Sequence, residues 1–282
     1  MTQTLNPNPL ARYFRKPAIY IRLPSNGEFW PQGSLTLPQN RELPVYPMTA
    51  ADEITYRTPD ALFNGQATVD VIQSCLPSIR NAWDMPALDV YSVLISLRIA
   101  TYGHSMDLSS TCPACSESRE YSLDLRTVLE NIGKPDYSQP AIMDEIQIFF
   151  RPMTYREQNE ISLTQFENSK MVEQIAQVDD ADANKLPQMA AIMRKLTDLQ
   201  MKTVLLSTAS IRIPDQVITD RSHIQEYYQN CESKTFSDIR NKLMSFKTLG
   251  DPKPVPIKCD SCQHQYDQPI EFDQTNFFAR AS

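Results

Sequence analysis

Glycine is scarce in this chain, with 6 in 282 residues. That shortage argues against phosphate cradles, in which bare backbone must approach a ligand closely. Neither GxGxxG nor GxxxxGK[ST] occurs, and GxSxG and HExxH are missing as well. The 3 histidines, His104, His223 and His264, lie far apart and none is paired with a nucleophile. No enzyme is expected. No stretch approaches the roughly 18 consecutive apolar residues of a membrane helix. The start, MTQTLNPNPLARYF, has no apolar core of a secretory signal. The expectation is a soluble protein made in a reducing cytoplasm, with no membrane partner. Excess positive charge is lacking too: 27 Lys and Arg stand against 34 Asp and Glu, a formal charge of −7. Binding nucleic acid needs clustered cations, so that partner is not expected.

Cysteine is sparse, with 6 in the chain, too few for a disulfide scaffold. Their placement carries the information. Four form two CxxC pairs, "CPAC" at 112–115 and "CDSC" at 259–262. Strand-like sequence flanks both, with alternating Tyr121, Leu123 and Leu125 after the first, "PVPIK" before the second, and Tyr266 and Phe272 after it. Each pair fits the turn of a short hairpin, as in a zinc ribbon, where two knuckles meet around one Zn2+. Cys112, Cys115, Cys259 and Cys262 are the candidate metal ligands. Four thiolates fill a tetrahedron and leave no position for substrate, so the expected metal is structural. A redox dithiol and a ribbon shape without metal are the alternatives; His264 is a possible substitute ligand. Residues 116–258, 143 of them, separate the pairs. A typical ribbon closes over about 15–20 residues. The span between must therefore be a large insertion whose ends return to one place. Cys75 and Cys231 are expected to be small buried residues.

The rest of the chain divides around these knuckles. Residues 1–47 hold eight of the 21 prolines and cannot form a long helix. They read as an extended Pro-rich arm with short strands at 18–23 and 42–47, either sheet edges or an arm lying on a partner. Phe29 and Trp30 in its turn are a core plug or an interface anchor. Residues 48–126 together with 253–282 read as a helical core bearing the knuckles. Thr49 with Asp52 and Thr58 with Pro59 are helix-start signals. The helix over 85–103 places Leu88, Tyr91, Leu94, Ile95, Arg98 and Ile99 on one stripe. Arg98 there fits a buried stem with its head at the surface, or an interface charge. Residues 127–252 read as a mainly helical insertion, with strands at "EIQIFFR" and "SIRI" and a helix started by Thr154 and Glu157. The helix over 187–207 has Met189, Ile192, Met193, Leu196, Leu199 and Leu206 at helical spacing. The fold class is α+β: a mainly helical body, a zinc-ribbon-like pair of four-cysteine hairpins interrupted by a large helical insertion, and the N-terminal arm.

Several stretches taken together resemble a known family. They are "LARYFRKPAIYIRLPSNGEFW" (10–30), "LPVYPMTAADEITYRTPDALFNGQATVDVIQSCLPSI" (43–79), "DVYSVLISLRIATYGHSM" (89–106), "CPAC" and "CDSCQHQYDQPIEFDQTNFF" (259–278). The chain is similar to the baseplate hub and hub-assembly proteins of T4-type contractile-tailed bacteriophages. Where such knuckles usually carry glycine, this chain has Ser116 and Gln263. The resemblance implies a structural or assembly role in the virion tail, without catalysis. It implies tape-measure, tube-initiating hub and wedge proteins as partners, with a homo-oligomer open. Phe277 and Phe278 join Phe29 and Trp30 as candidate interface residues. The alternatives are a tail-assembly chaperone absent from the finished particle and a zinc-ribbon nucleic-acid binder.

Overall fold

Proline keeps the N-terminal segment extended, and two short strands form there: β1 (Ile19–Ile21) and β2 (Leu43–Val45). They pair antiparallel, with Tyr20 opposite Pro44. Pro44 is tolerated because a two-stranded ladder is all edge. The computed structural model describes residues 8–57, 65–176 and 185–270. The two short strands expected in this segment are present and pair with each other. Ile21, Leu23, Leu43 and Val45 are buried in the chain's own first core.

Among the described residues, helices α1 (Ala50–Tyr56), α2 (Gln66–Cys75) and α3 (Ala87–Tyr102) join that core. Thr49 and Asp52 close a reciprocal capping box on α1, as the sequence predicts. The Thr58–Pro59 start lies outside the described residues. The expected stripe on α3 needs correction. This helix is buried nearly all round, including Val90, Val93 and Leu97 off the stripe, while Tyr91 and Ile99 are only partly covered. A central helix of this kind is apolar on every side, so it shows no one-sided period. Arg98 is correspondingly deep, 4% exposed, with its guanidinium 5.6 Å from the Tyr102 ring centre.

Asp89 is the feature of α3 that periodicity misses. It is fully buried and accepts three hydrogen bonds: from Ser25 N–H (2.8 Å), Ser25 O–H (2.6 Å) and Trp30 Nε1–H (2.9 Å). It thereby fastens the 24–30 turn onto the core helix. Burial pushes its carboxyl from 3.8 up to about 6, against the pull of the Ser25 and Trp30 bonds. The folded state thus holds a proton more tightly than the unfolded chain. That contribution is fully present below pH 3.8 and is lost as pH rises through about 6. Wild type should therefore gain stability relative to Asp89→Asn as pH falls from 7 to 4, by on the order of 2–3 kcal/mol. Denaturant melts of both proteins across that range check it.

A second core follows. Strands β5 (Ala141–Met143), β6 (Ile146–Phe150), β7 (Thr208–Ile213) and β8 (Gln216–Ile218) form an antiparallel sheet in that order. Before it come β3 (Ser105–Thr111), β4 (Ser118–Asp124) and the short α4 (Leu125–Glu130). Between β6 and β7 the chain makes two long antiparallel helices, α5 (Tyr155–Ala176) and α6 (Lys185–Ser207). Then α7 (Arg221–Asn230) and α8 (Ser233–Gly250) cover the sheet with Ile224, Tyr228, Ile239 and Phe246. The strands expected at "EIQIFFR" and "SIRI" are β6 and β7, and β5 and β8 are two further strands not expected from the sequence. β5 and β8 are three residues each, too short for alternation to register. On α5, Ile161, Asn168 and Ile175 are buried at seven-residue spacing, as are Ile192 and Leu199 on α6. Met193, expected on that seam, is 53% exposed. Cys231 is half-exposed rather than buried and closes α7, its N–H donating to Tyr227 at 2.8 Å.

The second core meets the first through backbone hydrogen bonds at the start of α3. Ala87 N–H donates to Met153 (2.8 Å), and Tyr155 N–H donates to Met85 (2.7 Å). Tyr155 enters the first core and stacks on Trp83. A further junction is the neck where α4 leaves and α8 returns. There a Cβ on Gly133 would stand 2.0 Å from the Leu249 carbonyl oxygen, so two backbones pass in direct contact.

Candidate metal centre

Both CxxC pairs sit in hairpin turns of one design. CPAC joins β3 to β4, whose last pair is Thr111 with Ser118. CDSC joins β9 (Val255–Lys258) to β10 (Gln265–Gln268), closed by Lys258 with Gln265. In each turn the first cysteine's N–H donates to the carbonyl five residues on: Cys112 to Glu117 and Cys259 to His264, both 2.9 Å. In each, the residue four positions on donates back to that cysteine's carbonyl: Ser116 to Cys112 and Gln263 to Cys259, both 2.8 Å. The two residues that stand in the glycine position adopt left-handed backbone, with φ 58° at Ser116 and 62° at Gln263. Non-glycine residues hold that conformation at a cost of about 1–2 kcal/mol. Ser116→Gly and Gln263→Gly should therefore melt no lower than wild type. The β-branched Gln263→Val should lose about 1–2 kcal/mol, read from thermal unfolding with metal bound.

The hairpins face each other and bring four thiols together. All four Sγ atoms lie within 4.8 Å of one another. Across the gap, Cys112 Sγ is 3.6 Å from Cys262 Sγ, and Cys115 Sγ is 3.7 Å from Cys259 Sγ. A disulfide would require about 2.05 Å. A tetrahedron of sulfurs about 2.3 Å from a central ion has edges of about 3.8 Å. Two of the six separations match that edge and all six fall within 4.8 Å, so the set could hold one ion. Cys112 and Cys259, the first of each pair, are buried; Cys115 and Cys262 are exposed.

Electrostatics favour a cation at the centre. The backbone N–H of Cys262, with that of Ser261, holds the Cys259 thiol down at about 7 against the cost of burial. The backbone N–H of Glu117 draws Cys115 the same way, but the three neighbouring thiols prevail and push it up to about 12. One thiolate forms readily and hinders the next. A cation bound among thiols favours their thiolate form.

Polar contacts outside the thiols align the hairpins. Ser110, buried on β3, lies 2.8 Å from Tyr266 Oη and donates to Gln268 Oε1 at 2.6 Å. Arg119 donates to Ser261 Oγ at 3.0 Å and reaches Asp260 at 3.5 Å. Sequence reasoning overlooks these residues because their partners lie some 140–160 positions away. His264 stacks on Tyr266 and is outside the four-thiol group.

Trp30 packs on the first core and is pinned by Asp89, which is the plug reading. Phe29 has left-handed backbone, keeps 43% exposure and touches Tyr137 edge-on at 5.4 Å. Phe277 and Phe278 lie outside the described residues. A cavity of about 240 Å³ lies where the two cores meet, lined by Tyr91, Tyr137, Gln158, Lys247 and Asp251 among others. Arg151 at its wall is already committed to Glu157.

The profile of the family described as T4 bacteriophage base plate protein matches residues 31–279. The chain belongs to that family. No curated protein and no solved structure matches it. The match takes in both CxxC hairpins and also runs through 127–252, so this region lies within the span of the baseplate family. The chain is thus a T4-type phage baseplate protein, a membership that points to the virion tail and to other tail proteins as neighbours. Among the described residues, no helix is long and apolar enough to cross a membrane.

Proposed function

We propose that this baseplate protein is a non-catalytic hub component whose fold is closed by one structural Zn2+ on Cys112, Cys115, Cys259 and Cys262. The observation that carries the proposal is the close approach of four thiols contributed by two hairpins at opposite ends of a long intervening chain. An all-sulfur set favours zinc over hard cations, which prefer oxygen. Four thiolates saturate it, so the ion binds no substrate and its ligation energy becomes folding energy. The cysteines hold the two ends of residues 127–252 together, and the helical region beyond is offered to tail partners such as tape-measure, tube-initiating hub and wedge proteins.

Mass spectrometry of purified particles separates this reading from a chaperone role. A structural component is found in stoichiometric amount with the other baseplate subunits. Its absence from finished particles, with abundance in assembling lysates, would overturn the structural reading in favour of the chaperone.

A further inference from the structure

The N-terminal segment presents a surface that the other described residues leave uncovered. The 3-10 turn Pro9–Tyr13 buries no residue. Leu10, Tyr13, Phe14 and Tyr20 are 60%, 69%, 60% and 62% exposed, a density of large apolar side chains that surfaces rarely leave free. The segment is also basic. Residues 8–27 hold four of the chain's 27 Lys and Arg, at Arg12, Arg15, Lys16 and Arg22, and none of its 34 Asp and Glu. Arg15 and Arg22 pair internally with Asp52 and Glu42. Arg12 and Lys16 are exposed; Arg12 lies over Tyr13.

A surface of complementary character lies at one end of the β5–β8 sheet. The β5–β6 turn carries Asp144 and Glu145, and the β7–β8 turn carries Asp215. The pairing of Gln147 with Arg212 puts both turns at the same end. All three carboxylates are exposed. Beside them, on the sheet face away from the core, Ile142 is 67% exposed and Val217 is 53% exposed, at the two ends of one cross-strand row. The cation within that row, Arg212, is turned onto Phe149.

We propose that residues 8–22 of one copy dock on the acidic, apolar end of the β5–β8 sheet of a second copy. Two different surfaces meet, so the contact is heterologous and each copy keeps one surface free for the next. Such contacts close into a ring or extend into a filament. Opposite charges set the register while the aromatic and aliphatic side chains supply the buried area. This inference rests on the structural reading above and names a partner for it. Its readout is self-association of the purified chain, which can fail while the chain is still found in particles.

The test is sedimentation velocity on the full-length, metal-loaded protein over a range of concentration and salt. Wild type should associate beyond the dimer and dissociate as salt rises. Arg12→Glu with Lys16→Glu should weaken association at least tenfold, and so should Asp144→Lys with Glu145→Lys. The chain carrying all four changes should recover it, because the charges are opposite again. Unchanged melting temperature and metal content would show that the variants fold. A monomeric wild type overturns the proposal, as does an oligomer indifferent to these swaps. A monomer that instead binds anionic vesicles or duplex DNA through Arg12 and Lys16 overturns it too, and assigns the segment to that surface.

Discussion

Cys259→Ser should abolish metal binding and lower the melting temperature by about 10 °C, corresponding to about 4 kcal/mol for a chain of this size. Cys259 is the cysteine whose thiolate the backbone already favours, at about 7. A serine hydroxyl does not ionise near neutrality and is a poor ligand for a soft-leaning ion. Without the metal, the hairpins are joined by Ser110 with Tyr266 and Gln268, and by Arg119 with Ser261 and Asp260. Hydrogen bonds of this kind contribute about 1 kcal/mol each, and exposed ion pairs less. They align the hairpins but do not replace the ion. Cleavage should accelerate in the returning segment between α8 and β9. Cys75→Ser is the control: Cys75 lies in the first core beside Arg15 and Asp52, and its variant should keep the metal. Metal content, a thermal melt and limited proteolysis together read the outcome. A Cys259→Ser protein that retains metal and melts like wild type would sink the four-thiolate assignment.

The second large effect is expected at the neck. In Gly133→Ala the new Cβ would sit 2.0 Å from the Leu249 carbonyl oxygen. The obstacle is backbone, so no side-chain rotation relieves it. Either α8 or the segment leaving α4 must shift, and Gly250 against Pro135 lies directly beside the contact. The expected loss is about 3 kcal/mol or more, at the upper end of overpacking effects. Gly33→Ala is the informative comparison, because a Cβ there meets nothing within 4 Å but the backbone has φ +89°. Its cost should be only about 1–2 kcal/mol, from left-handed strain alone. Equal melting temperatures for the two variants would show that the neck is more compliant than this packing implies. Metal content of Gly133→Ala should stay at wild-type level, which separates neck from clasp.

Much of the clasp was legible in the residues alone. Two CxxC pairs with strand-like flanks give hairpins, and their residues four positions on give left-handed turns. These are local rules, and Ser116 and Gln263 obey them without glycine. The helix starts at Thr49 and Thr154 were readable for the same reason: each needs a partner only three residues away. Features that depend on distant partners were not readable. Asp89 looks like a surface carboxylate at the start of a helix until Ser25 and Trp30 are seen to donate to it. Gly133 looks like an ordinary loop glycine until Leu249 arrives against it. The stripe assigned to α3 is buried at Leu88, Leu94, Ile95 and Arg98 but incomplete, because a helix buried nearly all round also hides Val90, Val93 and Leu97. The stripe on α6 was right at Ile192 and Leu199 and wrong at Met193, since a hydrophobic residue at an adjacent angle can face solvent.

The central claim is that one ion held by Cys112, Cys115, Cys259 and Cys262 closes this baseplate protein. The most direct measurement is elemental analysis of the full-length chain purified without chelator, with protein concentration determined independently. The account predicts one zinc per chain, lost in Cys259→Ser. A chain that folds and melts cooperatively with no stoichiometric metal would contradict it.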